Sequence, residues 1–458
     1  MGTHSSPSSG GDFTAPVGER TVFGHPSSLF ILFFSELWER FSYYGMRAIL
    51  VLYCVAKTTD ANAGLGWSEA DATGLYGTYT GLVYLTPLIG GAIADNWLGN
   101  RRCIIIGGIL MMLGHFLMAV TETWAFYTAL SLLIAGNGFF KPNISTMVGQ
   151  LYKQGDPRRD GGFTIFYMGI NVGAFFAPLI CGYLGEKWSY HYGFAAAGFG
   201  MAFGLVIFTL WQKNFGEIGL APKKAKSNDP AQLAAANQPL TSVDIQRLAV
   251  ILILWFFVVF FWLSFEQAGS SMNLFAKNDT DMHIGSWEMP ASWLQAVNPL
   301  FIVLLGPFFS SLWVGLSRRR LEPPTPAKIA AGVIIVGLGF LYLAYGAKGA
   351  GAPDDQIKVS VVWLVGAYIV HTIAELCLSP VGLSMVTKLA PVKLAALMMG
   401  FWFLANATAN KIGGMVAGMT EGKGYSTVFN GIGLVAVGAG VLLLLITPLV
   451  RKLMHGVH

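Results

Sequence analysis

Eight ionisable residues lie inside stretches that are otherwise apolar enough for a core or a lipid face: Glu36, Glu39, Arg40, Arg47, Lys141, Glu266, Glu375 and Lys411. An ionisable side chain at such a place costs about 2.5–3.5 kcal/mol on the insertion scale, so each marks a binding site or an ion pathway by default. The first four fall in one run, ELWERFSYYGMRA, residues 36–48. Glu36, Glu39, Arg40, Tyr43, Tyr44 and Arg47 stand at i, i+3, i+4, i+7, i+8 and i+11, which on a helix is a single stripe. Leu37, Phe41, Met46 and Ile49 occupy the other side and suit apolar neighbours. A purely structural pairing of Glu36 with Arg40 is the simpler reading. The number of charges and the tyrosines among them stand against it.

Two kinds of chemistry fit these residues. Arg47 and Lys141 suit a substrate carboxylate, because a guanidinium or ammonium donates charge-assisted hydrogen bonds to it. Glu266 and Glu375, much later in the chain, suit an ammonium group. A molecule charged at both ends could bridge the two sets. Carboxylates in a low-dielectric interior also take up a proton more readily. A proton moving down the membrane potential releases about 2.3 kcal/mol per 100 mV, and carboxylates that exchange a base for a proton could couple that release to transport.

The elements that must position these groups follow from composition. The chain has 458 residues, 54% hydrophobic and 12% charged, with a mean hydropathy of +0.56. A soluble domain carries about 25% charged residues, so this chain belongs with polytopic membrane proteins and needs a lipid bilayer as its partner. Twelve apolar stretches are long enough to cross one, near 28–55, 71–95, 102–121, 124–147, 162–185, 193–213, 245–268, 289–315, 327–347, 359–384, 393–419 and 426–450. The polar segment 214–243 divides them into six and six. The expected organisation is a disordered tail over 1–27, a six-helix bundle over 28–213, a cytoplasmic linker over 214–243, a second bundle over 244–450 and a tail over 451–458. With the N-terminus inside, 19 of the 29 Lys and Arg residues fall on the inner side and 6 on the outer. That asymmetry puts both termini in the cytoplasm. The net charge of +5 is spent on this asymmetry and gives no reason to invoke nucleic acid.

The remaining chemistry-bearing residues read more plainly. Cys54, Cys103, Cys181 and Cys377 lack CxxC spacing and suit apolar packing. His115, His283 and His371 have no metal-ligand spacing, so no metal or other cofactor is expected; His371, one turn before Glu375, could face the cavity. Lys411 could snorkel or pair within the second half. The loop 277–290 is polar and should be solvated. GGAIADNWLGNRR (90–102) has glycines for close approach, Asp95 to cap or pair, and Arg101 and Arg102 toward the cytoplasm. There is no HExxH or GxSxG and no nucleophile–base pair, so an enzyme is not expected.

Several of these segments carry a resemblance. Two halves of six spans with the 90–102 loop resemble the major facilitator architecture, whose substrate site lies near the midplane between the halves. Glu36, Glu39, Arg40, Phe41, Tyr43, Tyr44 and Gly45 closely resemble the ExxERFxYYG motif of the proton-dependent oligopeptide transporter family. GNGFFKPNISTMVGQLY (136–152), FYMGINVGAF (166–175), FWLSFEQAGSSMNLF (261–275), NPLFI (298–302), AELCLSPVGLSMVTKLAP (374–391) and GFWFLANATAN (400–410) are similar to further segments of that family, in the same order. The resemblance implies an all-α membrane protein of the major facilitator fold, with twelve transmembrane helices in two six-helix bundles. It implies a symporter that couples inward proton flow to uptake of dipeptides and tripeptides, with the proton as coupling ion and the plasma membrane, here a bacterial inner membrane, as its place. Arg47 and Lys141 would bind the peptide carboxylate, and Asn171, Asn298 and Glu375 its N-terminus. Tyr43, Tyr44, Tyr84 and Trp402 would shape the side-chain pockets. Glu36, Glu39 and Arg40 would carry proton coupling with Lys141 as their partner, and Glu266 would pair with Arg47 and join the proton step.

Two departures from the family pattern matter. Mammalian relatives have a histidine tied to protonation where alignment on YLTP (84–87) puts Gly77, so coupling would fall on the carboxylates. Many bacterial members insert two extra spans between the halves, and the segment 214–243 is too short and polar for that. Relatives of this fold also move nitrate and other small solutes; a nitrate carrier needs no ammonium partner, so Glu375 argues against one. A receptor that binds peptide without moving it would have no use for an intact coupling motif.

Overall fold

Backbone N–H and C=O groups have no water to bond in a bilayer, so an apolar stretch there satisfies them within a helix. The computed structural model describes residues 21–153, 155–221, 239–350, 358–391 and 394–457. Within them run α1 Ser27–Val55, α2 Glu69–Ile93, α3 Asn100–Leu117, α4 Thr123–Gln150, α5 Arg159–Ala177 and α6 Tyr190–Trp211. Then come α7 Ser242–Phe265, α8 Val297–Arg318, α9 Thr325–Gly346, α10 Val362–Leu389, α11 Ala395–Gly418 and α12 Tyr425–Leu453. Residues 1–20 of the expected tail and 222–238 of the expected linker lie outside the described residues, with Arg20, Lys223, Lys224, Lys226 and Lys393 of the charge count.

The helices follow the expected spans to within about five residues, except α5, which ends at Ala177 where 185 was expected, and the eighth. Its helix starts at Val297 rather than near 289, because Pro290 leads into a separate 3-10 turn, Ala291–Ala296. The second set opens on a capping box: the Thr241 hydroxyl accepts from the Asp244 N–H at 3.1 Å while Asp244 accepts from the Thr241 N–H at 2.9 Å. Among the described residues, eight helical segments are long and apolar enough to cross a membrane by composition alone. The other four long helices are α1, α2, α4 and α11. They carry inward-facing polar groups, and hydropathy undervalues a helix whose polar face meets another helix instead of lipid.

Three spans break their helical pattern. A π turn over Ala94–Leu98 prolongs α2, and another over Pro178–Gly182 links α5 to a short helical stretch, Tyr183–Lys187. A 3-10 turn, Glu266–Gly269, interrupts the seventh span before it resumes over Ser271–Asn278. Irregular backbone at membrane depth is tolerated where protein surrounds it, and such breaks often mark functional positions.

In the first set α1 packs on α5 and α6, α3 on α4 and α6, and α2 on α4. In the second, α9 packs on α10 and α12, α7 on α9, α11 and α12, and α8 on α10. The sets meet along α2–α11 and α5–α8. Gly77 explains how closely α2 and α11 approach: a Cβ there would lie 2.5 Å from the Asn410 carbonyl oxygen. This arrangement has no room for an imidazole at that position.

Many links between the sets gather at the end opposite the chain termini. Glu186, after α5, accepts from the Ala291 and Ser292 N–H groups at 3.1 and 2.9 Å and from the Ser292 hydroxyl at 2.7 Å. Lys187 pairs with Glu288 at 3.0 Å. Glu69 accepts from the Tyr425 hydroxyl at 3.0 Å and from Asn278 at 2.8 Å, and Glu421 accepts from the Ala70 N–H at 3.0 Å. The loop 277–290 is mostly exposed, as expected, but it is ordered rather than loose. Thr280 and Asp281 pair with Val359 and Ser360, His283–Ile284 pairs with Trp287–Glu288, and Thr280 and Met282 are buried.

Candidate functional site

The charged stripe of α1 turns inward. Glu36, Glu39, Arg40, Tyr43 and Arg47 are buried and Tyr44 is half-buried, while Phe41 and Ile49 on the other side pack against Gly200 and against Gly185 and Gly193. Arg40 grips Glu39 in a two-pronged pair, through Nε and through Nη2 to Oε1 at 2.6 Å. Glu36 Oε1 is 3.3 Å from Arg40 Nε, so both acids share one guanidinium. Asn137 of α4 adds a hydrogen bond to Glu39 Oε1 at 3.3 Å. Two acids on one base leave a surplus negative charge, and three buried polar atoms of this cluster lack partners: Glu36 Oε2, the Tyr43 hydroxyl and Asn137 Oδ1. An unpartnered carboxylate oxygen in a buried site is a place for a proton or a water molecule.

Lys141 of α4 does not close this cluster. Its ammonium lies over the Tyr84 ring, 4.7 Å from the centroid, and no described carboxylate forms an ion pair with it. No ion pair joins it to the α1 acids in this arrangement; Glu36 and Glu39 attract it only from a distance, and its N–H groups stay available to a ligand.

About two helical turns beyond Arg40, Arg47 reaches across to the other set. Its guanidinium pairs with Glu266, and its Nε donates to the Tyr76 hydroxyl of α2. Both charged side chains are nearly solvent-free, at 7% and 5% exposure. Glu266 opens the 3-10 turn of the seventh span, and Gly269 in the same turn lets Tyr76 come close: a Cβ there would sit 2.0 Å from the Tyr76 oxygen. Arg47 is thus committed to Glu266 and Tyr76 rather than open for a carboxylate. Tyr76 and Asn137 were missed in the sequence reading, although both carried a signal. Tyr76, Thr80 and Tyr84 share one α2 stripe at i, i+4 and i+8, and Asn137 stands four residues before Lys141.

In the second set, Glu375 of α10 accepts from Asn298 of α8 at 2.9 Å, and Asn298 also reaches the Thr372 hydroxyl at 3.1 Å. Asn171 of α5 bonds the Tyr167 carbonyl in its own helix at 3.0 Å, and Trp402 is buried with its ring against Gly382. His371, which could have faced the cavity, instead stacks its ring on Phe340 of α9, centroids 4.7 Å apart. Helix α10 presents Glu375 to α8 and His371 to α9, because one turn is not a whole number of residues. Lys411 does not pair within its own half; it donates to the Thr78 hydroxyl of α2 at 2.7 Å. Asp95 neither caps nor pairs among the described residues but lies exposed, and the loop is held instead by Arg101, which donates to the Ile218 and Gly216 carbonyls at 2.5 Å each. Among the described residues no cluster has the makings of a metal site.

Buried acids and bases from two helix sets, facing one another across a shared interface, suit binding and translocation of a charged solute. Comparison with known proteins bears on which. The family model of the POT family matches residues 101–241 and 231–435. The chain belongs to the POT family. It is 36% identical to peptide transporter YePEPT of Yersinia enterocolitica over 96% of this chain and 97% of that protein. It is equally similar, at 36% identity over 96% and 99%, to the di-/tripeptide transporter of Lactococcus lactis subsp. cremoris. A crystal structure of a peptide transporter POT in complex with sulfate superposes with a TM-score of 0.89 at 35% identity, covering 96% of this chain and 98% of that one. A POT family transporter in complex with 5-aminolevulinic acid superposes with a TM-score of 0.85 at 29% identity, covering 94% and 98%. This POT family member is accordingly an all-α membrane protein of the major facilitator fold, with twelve membrane helices in two bundles.

Proposed function

We propose that this POT family member is a proton-coupled symporter that imports dipeptides and tripeptides by alternating access. The observation that carries the reading is the division of buried charge. The first helix set offers an ammonium without a carboxylate partner, Lys141, beside an acid cluster with an open oxygen, Glu36. The second offers a carboxylate, Glu375, positioned by Asn298. A peptide's carboxylate and ammonium would be drawn to opposite sets and so bridge them. The di-/tripeptide transporters among its relatives support this, and 5-aminolevulinic acid, bound in a solved relative, has an amine at one end and a carboxylate at the other.

Roles follow from position. Lys141 takes the peptide carboxylate, joined by Arg47 once Glu266 releases it. Glu375, Asn298 and Asn171 take the N-terminus, and Tyr43, Tyr44, Tyr84 and Trp402 line the side-chain spaces. Glu36, Glu39 and Arg40 exchange partners with a proton, and a proton on Glu266 frees Arg47. That exchange separates the sets at the Arg47–Glu266 contact and lets the end opposite the termini open. The positive-inside count supports a reading with both termini in the cytoplasm and bundles over 28–213 and 244–450 joined by a cytoplasmic linker, and the bacterial relatives support a bacterial inner membrane. Uptake of labelled dialanine into proteoliposomes tests the reading. Accumulation that requires an inward proton gradient is expected; equilibration without accumulation would leave a facilitator and remove the coupling roles.

A further inference from the structure

Outside the central site, the α2–α11 contact leaves a groove of about 360 Å³ on its other face. Thr78, Leu82 and Leu85 of α2 and Ala407, Lys411 and Ile412 of α11 form it. Its apolar rim is open: Leu82, Leu85 and Ile412 are 39%, 37% and 41% exposed, and Ile89 and Met415 beyond them more so. Tyr76 and Tyr84 point from α2 toward Arg47 and Lys141, while Thr78 and Leu82 lie on the opposite side of the same helix. The groove therefore lies on the outer surface of the helices, the side a membrane-spanning chain turns to lipid.

Lys411 does not suit that side. It is exposed on this face, and its one described partner is the Thr78 hydroxyl at 2.7 Å. A hydroxyl accepts one of its three N–H groups and carries no charge. An ammonium against hydrocarbon needs an anion, and on this face the bilayer is what can supply one. Lys411 stands seven residues before the end of α11 at Gly418, about 10 Å at 1.5 Å per residue. Snorkelling of the side chain and local thinning of the bilayer close gaps of that size.

We propose that this groove binds an anionic phospholipid, with its phosphate on Lys411 and one acyl chain along Leu82, Leu85 and Ile412. Each helix set supplies half of the groove. The bound lipid therefore favours the arrangement in which α2 lies against α11, and biases alternating access by its differential affinity for the two states. The proposal stands independently of what the central site carries.

Native mass spectrometry of the purified chain titrated with phosphatidylglycerol or phosphatidylcholine tests it without recourse to transport. The wild type should retain phosphatidylglycerol in preference. Lys411→Met should cut that preference about tenfold, Lys411→Arg should keep it, and Thr78→Val, which leaves the ammonium in place, should keep it too. Lys411→Met removes a charge from a lipid-facing surface, so folding should survive. Undiminished preference in Lys411→Met, or equal retention of the two lipids by the wild type, would overturn the proposal.

Discussion

The pair between Arg47 and Glu266 joins the two helix sets at one buried point, and Glu266→Gln probes it most directly. Both side chains are nearly free of solvent, at 7% and 5% exposure, and the Tyr76 hydroxyl is the guanidinium's other acceptor among the described residues. Removing one partner of a buried pair costs about 3–5 kcal/mol, because the remaining charge keeps its desolvation penalty without the attraction that offset it. At about 1.4 kcal/mol per factor of ten, that shifts an equilibrium roughly a hundred- to several-thousand-fold. The loss falls on the state in which α1 and the seventh span touch. Glu266→Gln should therefore melt earlier in detergent and spend more time open at the end opposite the termini. Spin labels at Asp60 and Asp281, read by double electron–electron resonance, would report longer distances. Arg47→Met combined with Glu266→Leu should recover most of the thermal stability, since it leaves no buried charge, and still fail to accumulate dialanine. Unchanged melting and unchanged label distances in Glu266→Gln would refute the assignment of this pair as the central tie.

Three further perturbations separate the contributions around it. Tyr76→Phe leaves Arg47 Nε without its acceptor, which costs about 1.5–3 kcal/mol for a bond to a charged group, so melting should fall while the Arg47–Glu266 pair persists; no change would mean the hydroxyl is incidental. Glu186→Ala frees two N–H groups and a hydroxyl of Ala291–Ser292, and a cysteine placed at Gln295 should then react at least about tenfold faster with a charged thiol reagent. Glu39→Gln removes the charge that Arg40 grips from two sides, and uptake driven by a proton gradient should vanish while exchange of peptide across the membrane continues; full uphill uptake would contradict its coupling role.

Much of this protein is legible without coordinates because the membrane makes its demands locally. A span needs a run of apolar residues, a loop's side follows from its lysines and arginines, and a stripe such as Glu36–Glu39–Arg40–Tyr43–Arg47 follows from helical periodicity. Each is a property of neighbouring residues, so the sequence alone determined the twelve spans, the inward face of α1 and the concentration of charge on a few helices. Spacing within α1 already offered Arg40 to Glu36, and the family resemblance implied Glu266 for Arg47, but the contacts between the two sets are made by the tertiary structure. Arg47 and Glu266 are 219 positions apart, and Lys411 and Thr78 are 333 apart. Whether they meet depends on how each helix is rotated and how deep it sits, which no local pattern records. The same holds for Gly77, whose missing side chain makes sense only with Asn410 of α11 against it, and for His371, turned to Phe340 by the pitch of α10. Sequence placed the charges in the membrane because burying a charge is costly wherever it occurs. Only the packing of two helix sets could say which opposite charge, hydroxyl or aromatic face would offset that cost.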